Sequence, residues 1–309
     1  MYYSLMRMGV IGSSGLVGEA VVRLLVQRGF EPVIFFRNDP LEFSNIDILF
    51  LCTPSEVSKK LAPLALDSGA AVIDLSSAFR KEFDVPLILP EVNGELLESN
   101  PKLISCPNCI VAIMLMALGP LHKSFIISRM QISTYQSASG AGKEGLNELL
   151  QNLPPKIFPH QLLNNLFMHE SPKLETGYSE EEDKIIFETK KILGSPGIGV
   201  NVRSVRVSTL RAHSIAINVT FKEDPIGAEA VLKKTQGIQY NPSPNPKHAE
   251  HKEDVFYGPL RKDLSQENTL DLFIVGDQLL RGAALTAVEI AIALQQNKLH
   301  YIALPGSRE

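Results

Sequence analysis

Arg7-Met8-Gly9-Val10-Ile11-Gly12-Ser13-Ser14-Gly15-Leu16-Val17-Gly18 is the stretch whose reading decides the fold. Arg7 to Ile11 reads as a short buried strand, and Glu19 to Val26 has helical spacing of apolar residues. A strand that passes through a glycine turn into a helix is the setting in which a dinucleotide is held. Gly12 allows the tight turn, Gly15 lets a pyrophosphate approach the backbone, and Gly18 lets the helix pack on the sheet. The spacing G-x-x-G-x-x-G departs from the commoner G-x-G-x-x-G, and a tight turn with no ligand uses the same residues. Gly12, Ser13, Ser14, Gly15, Leu16, Val17 and Gly18 are the candidate cofactor contacts.

Working outward, Pro32 to Phe36, Asp47 to Cys52 and Ala70 to Leu75 read as further buried strands, and a helix runs from Ser55 through Leu66. Alternation of apolar strands with helices implies an α/β, Rossmann-like, doubly wound parallel sheet that takes its ligands at the strand C-termini. Arg37 and Asn38 stand at the tip of the second strand. An arginine there suits the 2′-phosphate of NADP, whereas an acidic residue would take the 2′-hydroxyl of NAD. Asp39 lies two residues beyond Arg37, which keeps the second option open.

Ser105-Cys106-Pro107-Asn108-Cys109 precedes the apolar run Ile110 to Leu118. Pro107 and Asn108 are turn and cap residues, so Cys109 falls at a helix N-terminus, where the dipole and the unpaired N–H groups favour a thiolate. That makes Cys109 a candidate nucleophile. A small buried hydrophobe, half a metal site or a redox pair with Cys106 are the other readings of the same residues. For a metal only Cys52 remains as a further thiol, with no His-x-x-x-His nearby, so no metal is expected. Cys52 itself lies in a strand and reads as packing.

The net charge of −4 gives no reason to expect nucleic acid or an anionic membrane as partner. Three cysteines make no disulfide framework and suit a reducing cytosol. The first residues lack a basic start and an apolar signal core, and the longest apolar stretches are too short or interrupted to span a bilayer. A soluble cytoplasmic protein is expected. At 309 residues it should hold two domains. Residues 1–108 with 277–309 would form the nucleotide-binding domain, and 109–276 an inserted α+β domain. Within the insertion, Phe125 to Tyr135 and Ser204 to Phe221 have the β-branched, alternating pattern of long antiparallel strands. Glu180 to Lys184 opens a helix through Ile192, Gln236 to Pro259 is polar and irregular, and Ala283 to Leu299 is a long amphipathic helix.

Four stretches, in this order, resemble the aspartate-β-semialdehyde dehydrogenase family: Gly12 to Gly18, Cys106 to Cys109, Ser133 to Gly142, and Arg206 to Ser214. Asp277 to Ala284 is similar to its closing motif, so the resemblance covers nearly the whole chain. It implies reduction of β-aspartyl phosphate to aspartate β-semialdehyde by NADPH with release of phosphate. That step serves biosynthesis of diaminopimelate and the aspartate-derived amino acids. It also implies a homodimer formed through the inserted domain. Cys109 would attack the acyl carbon and hold a thioester, His213 would be the acid/base partner, and Gln136 would contact the acyl-enzyme. Arg206 would hold the substrate α-carboxylate through two parallel hydrogen bonds, Glu181 would face its ammonium, and Lys184, Arg80 and Asn108 would bind phosphate. Glu182 is the alternative to Glu181, because the acidic cluster leaves alignment uncertain by one residue. Ser139 and Gly140 match backbone contacts to the cofactor, and Gln278 a position near the nicotinamide. The remaining histidines, His169 among them, lack such context.

Three departures from the family stand out. The segment from Arg37 to Asp47 is short, Ile110 replaces the usual Ser or Thr after the nucleophile, and Phe158 to Glu170 matches loosely. N-acetyl-γ-glutamyl-phosphate reductase is the rival enzyme. Its substrate has no ammonium, which would leave Glu181 unpaired. A non-catalytic nucleotide-binding paralogue is the rival of another class, and it would be expected to lose Cys109 or His213.

Overall fold

The computed structural model describes residues 6–37 and 39–303, with side chains as far as residue 296. One compact unit runs to Pro107 and takes in the chain from Ala283 onward; the other is Asn108–Gly282. Asp277 to Gly282 therefore belong with the inserted unit and not, as expected, with the nucleotide-binding one. Hydrogen bonds hold them there: the buried Asp277 carboxylate accepts from Arg211 Nε at 2.6 Å and His251 N at 2.7 Å.

The first unit is built on β1 (Met8–Ile11), α1 (Leu16–Gln27), β2 (Val33–Phe35), β3 (Ile48–Leu51), α2 (Ser55–Asp67), β4 (Ala71–Asp74), the single turn α3 (Pro90–Asn93) and β5 (Leu103–Ser105). Its five strands lie in the order β2-β1-β3-β4-β5, every pair parallel. β3 and β4 are buried throughout, as strands of a sheet covered on both faces are, and only Asp74 at the end of β4 is not apolar. The glycine turn is set by sterics. Gly12 has φ +86°, and a Cβ there would lie 2.2 Å from the Cys52 carbonyl oxygen. A Cβ on Gly18 would lie 2.1 Å from the Gly12 carbonyl oxygen, so only glycine lets α1 approach the strand this closely. Gly15, exposed at the N-cap of α1, meets nothing nearer than 3.5 Å. The C-terminal helix (Leu285–Ala303) packs on α1 and follows a π-helical turn at Leu280–Ala284.

The second unit opens with α4 (Cys109–Phe125), which carries the chain one residue past the point where a strand was expected; Ile126, at φ +53°, turns it into β6 (Ile127–Gln136). There follow α5 (Gly142–Leu150), β7 (Leu166–Met168), α6 (Glu180–Ile192), β8 (Gly199–Val207), β9 (His213–Phe221), α7 (Ala228–Lys234), β10 (Ile238–Tyr240), α8 (Pro246–Ala249), β11 (Val255–Tyr257), β12 (Arg261–Lys262) and β13 (Thr269–Gly276). The sheet order is β10-β11-β13-β9-β6-β8-β7, with β12 beside β13. It is mostly antiparallel, but β6 runs parallel to β8 and β10 to β11. The Ser204 to Phe221 stretch is two strands joined at residues 208–212. The polar segment from Gln236 to Pro259 is less irregular than its composition implies, since it supplies β10 and β11. Ile110 to Leu118 is fully buried, so the residue after Cys109 faces the core, where an isoleucine is at home and a hydroxyl would need a partner.

Register positions the site. Gln136 at the end of β6 pairs with Arg206 near the end of β8, and Tyr135 pairs with Ser214 at the start of β9. His213 pairs with Gly276 at the end of β13. Four segments that are remote in sequence therefore finish at one edge of one sheet.

Candidate active site

Cys109 is the first residue of α4, and the Asn108 side chain caps that helix by accepting from Ile110 N at 2.8 Å. The helix start is anchored on α6. Asn108 Nδ2 donates to Glu181 Oε1 at 2.8 Å, and Asn108 N donates to Glu188 Oε2 at 2.5 Å. Glu181 and Glu188 are seven residues apart and so share one face of α6. Glu181 Oε1 also receives Gln136 Nε2 at 3.4 Å, which ties the residue beside the thiol to the end of β6. Gly282 closes the other side: a Cβ there would stand 2.8 Å from that of Cys109.

The acidic cluster sorts itself by the capping box of α6. Glu182 Oε2 accepts from Ser179 N at 2.8 Å while Ser179 Oγ accepts from Glu182 N, and Glu182 Oε1 accepts from Ser204 N at 3.0 Å. Glu182 is occupied in starting the helix. Glu181 is the residue that turns toward Asn108 and Gln136. Lys184, half-buried, lies on the same face as Glu181 three residues on.

His213 is fully buried. Its Nδ1 accepts from Ser137 N at 3.0 Å, so in the neutral ring the proton sits on Nε2, which has no hydrogen-bond partner among the described residues. Burial first, and then the Arg206 charge, hold the imidazole well below its ordinary range. The ring is thus an N–H donor at Nε2, and a Cβ on the exposed Gly140 would lie 3.3 Å from that nitrogen. Ala212, just before it, is held at φ +66°, with its N–H given to Gln278 Oε1 at 2.8 Å. Gln278 Nε2 donates to Ser139 Oγ, which in turn donates to the Leu210 carbonyl, both at 2.5 Å. Gln278 and Ser139, expected beside the cofactor, here position the segment that presents His213.

Arg206 is buried, and its guanidinium is almost fully engaged. Nε and Nη2 donate to the two carboxylate oxygens of Glu170 at 3.2 and 2.6 Å, Nη2 faces His169 Nε2 at 2.9 Å, and Nη1 donates to the Ser137 carbonyl at 2.6 Å. Burial pushes the Glu170 carboxyl up, but the Arg206 hydrogen bond and charge outweigh it and hold the group below the usual carboxylate range. Burial is also the main cause of the lowering at His169, with the Arg206 and Lys184 charges adding to it against Glu181 and Glu170. Sequence reading passed over His169, Glu170 and Glu188. The first two lie in an irregular segment with no periodicity to read. Glu188 could have been reached from its seven-residue spacing to Glu181.

In the first unit Gly12, Ser13, Ser14 and Gly15 form the turn, and Leu16, Val17 and Gly18 the first turn of α1. Arg37 is exposed just past β2; Asn38 lies outside the described residues. The Asp39 carboxylate is tied to Phe36 N at 2.7 Å. Arg80 is buried and donates to the Leu75 carbonyl at 3.2 Å. Burial pushes the Asp74 carboxyl up, against the hydrogen bonds of Ser58 and Ser76 and the charge of Arg80. Burial, with Asp74, pushes the Cys52 thiol up to about 12 and raises Cys106 as well, which disfavours the thiolate at both. No group of three or more His, Cys, Asp or Glu side chains suited to a metal occurs among the described residues.

Residues 118–281 match the semialdehyde dehydrogenase dimerisation domain and residues 30–100 the semialdehyde dehydrogenase NAD binding domain. The chain is 37% identical to an aspartate-semialdehyde dehydrogenase of Prochlorococcus marinus, over 92% of this chain and 94% of that one. It is 38% identical to the Rickettsia conorii enzyme of that name, over 94% and 98%. The chain belongs to the aspartate-semialdehyde dehydrogenase family. Aspartate semialdehyde dehydrogenase II of Vibrio cholerae, solved as a complex with ASA, superposes with a TM-score of 0.90 at 31% identity, over 95% of this chain and 99% of that chain. The family is one of oxidoreductases acting on an aldehyde or acyl phosphate with a nicotinamide cofactor, and neither rival reading is favoured. No helix among the described residues is long and apolar enough to cross a membrane.

Proposed function

We propose that this protein reduces β-aspartyl phosphate to aspartate β-semialdehyde with NADPH, releasing phosphate, through a thioester on Cys109. The observation that carries this reading is the imidazole of His213. With Nδ1 taken by Ser137 N–H, its buried Nε2–H, without a partner among the described residues, is a donor waiting for an acceptor.

The sulfur of Cys109 forms the C–S bond as the acyl C–O bond to phosphate breaks, the positive end of α4 favouring its negative charge. Nε2–H of His213 can donate to the thiolate or to the carbonyl oxygen, where charge develops. Because Nδ1 is already an acceptor and burial disfavours the imidazolium, His213 acts as donor, and the thiol proton passes to the departing phosphate oxygen as the C–O bond breaks. Glu181, fixed by Asn108 and Gln136, takes the substrate ammonium, and Arg206 its α-carboxylate. Lys184, Arg80 and Asn108 take the phosphate. A nicotinamide cofactor, when bound, supplies the hydride that reduces the thioester.

Gly15, exposed and with no neighbour nearer than 3.5 Å to a Cβ there, and the turn held by Gly12 and Gly18 fit a pyrophosphate at the start of α1, with Ser13, Ser14, Leu16 and Val17 around it. Exposed Arg37 favours the 2′-phosphate, since the nearby Asp39 carboxylate is occupied with Phe36 N. Asn38, Ser139, Gly140 and Gln278 complete the proposed cofactor set. A homodimer is proposed through the face of the second sheet on which Gln131, Ser133 and Tyr135 alternate outward, in the region matching the dimerisation domain. Cys52, Cys106 and Cys109 are not in disulfides, which fits the cytosol.

Assay of aspartate β-semialdehyde with phosphate, comparing NADP and NAD, tests the reading. Turnover with NADP is expected. Cys109→Ala should abolish it while NADPH still binds; retained turnover in that variant, or turnover of only the N-acetyl-γ-glutamyl substrate, would overturn the assignment.

A further inference from the structure

We propose that Glu170 is a built-in competitor for the substrate's carboxylate, seated in the fork of Arg206 and displaced when substrate binds. The inference rests on Arg206 being the carboxylate ligand. The geometry is that of a bound carboxylate: two parallel N–H···O contacts, at 3.2 and 2.6 Å, from Nε and Nη2 to the two oxygens of one group. The other contacts of Arg206, to Ser137 O and His169 Nε2, leave no second pair of free N–H groups on the guanidinium. A substrate carboxylate can therefore be held bidentately only where Glu170 now sits.

The two partners differ in their freedom to leave. The Arg206 side chain is 2% exposed and lies within β8, whereas Glu170 is 20% exposed and sits on the irregular chain after β7. Exchange of one carboxylate for another keeps the buried guanidinium paired, so it avoids the cost of an uncompensated charge. A tethered carboxylate also has a high effective concentration. An anion with nothing else to offer cannot displace it. A ligand that also places an ammonium on Glu181 and a carbonyl at Cys109 makes further contacts and can. Glu170 thereby keeps simple anions off Arg206 and raises the KM of the true substrate.

Glu170→Gln keeps the shape and removes the charge. Its KM for aspartate β-semialdehyde should fall about tenfold, the equivalent of roughly 1.4 kcal/mol, with the change carried by KM rather than kcat. Acetate, without effect on the wild type, should become an inhibitor competitive with the aldehyde substrate. It should also raise the melting temperature of the variant alone, a readout that needs no turnover. Glu170→Ala should behave alike. A KM that rises or stays unchanged in both variants, with no acetate effect, would make Glu170 a fixed partner that orients Arg206 and would overturn the inference. Arg206→Met separates the two levels. If it leaves KM unchanged, the assignment of Arg206 fails and the inference with it. If it loses the substrate while the Glu170 variants show none of these effects, the inference alone fails.

Discussion

The glycine turn from Gly12 to Gly18 and the polar cluster around Cys109 are built on opposite principles. The turn lies within seven consecutive residues and depends on what is missing: a Cβ at Gly12 or Gly18 would overlap backbone at 2.2 or 2.1 Å. The cluster depends on what is present, and its members are brought together from α4, β6, the segment after β7, α6, β8 and β9. A local device made of absent atoms tolerates no side chain at the two positions, Gly12 and Gly18, where backbone closes in. A distributed one made of hydrogen bonds should lose function by degrees, with stability and activity separable residue by residue.

The sharpest test of that contrast is Gly18→Ala. Its overlap is with backbone, which cannot rotate away, so a loss of roughly 4 kcal/mol or more in unfolding free energy is expected by denaturant titration. Gly15→Ala, whose methyl meets only the Gly12 carbonyl oxygen at an ordinary 3.5 Å, should leave stability nearly intact and weaken cofactor binding. If the two variants unfolded alike, the steric account of the turn would be wrong.

Gly282→Ala carries the same steric logic into the distributed site. The added methyl, 2.8 Å from the Cys109 Cβ, should shift the nucleophile. A displacement of a few tenths of an ångström to 1 Å lowers kcat by about tenfold to a hundredfold. Steady-state kinetics beside a melting curve will show whether activity falls further than stability.

Two adjacent glutamates then separate structure from function. Glu182→Ala removes the capping box and should cost about 1 kcal/mol of stability. Glu181→Gln should change the melting temperature little and raise KM for the amino-bearing substrate. The reverse pattern would exchange their roles.

A further test is a pH dependence. The buried His213 ring takes a proton less readily folded than unfolded, as do His169 and His122, where burial is again the first cause. Their contribution to stability is full above the ordinary imidazole value of 6.5 and is lost as pH falls from there through the lowered folded-state values. Stability should decline between pH 7 and pH 5, by at most about 1.4 kcal/mol per pH unit for one imidazole. His213→Asn should flatten that slope; an unchanged slope would remove His213 from the account.

Where a residue's role followed from its neighbours in the chain, sequence reading found it. Cys109 at a helix start, Asn108 as its cap, the glycines of the turn and the buried strands β1, β3 and β4 are all of this kind. Where the role depended on a partner far along the chain, it did not. His169 and Glu170 have no local pattern, and only the pairing of β7 with β8 places them on Arg206. The choice between Glu181 and Glu182 was likewise invisible in a run of four acidic residues.

Chain order alone determined a parallel α/β unit opened by a glycine turn, a thiol at the head of a buried helix, and a second unit of longer strands. Hydrophobic period and backbone sterics act over a few residues and so are written into the local sequence. The tertiary structure decided which side chains share an edge, which glutamate caps and which one turns toward Asn108 and Gln136, and that Arg206 already grips a carboxylate. Those are properties of strand register and helix phase, set by burial of the whole sheet rather than by any one stretch of the chain.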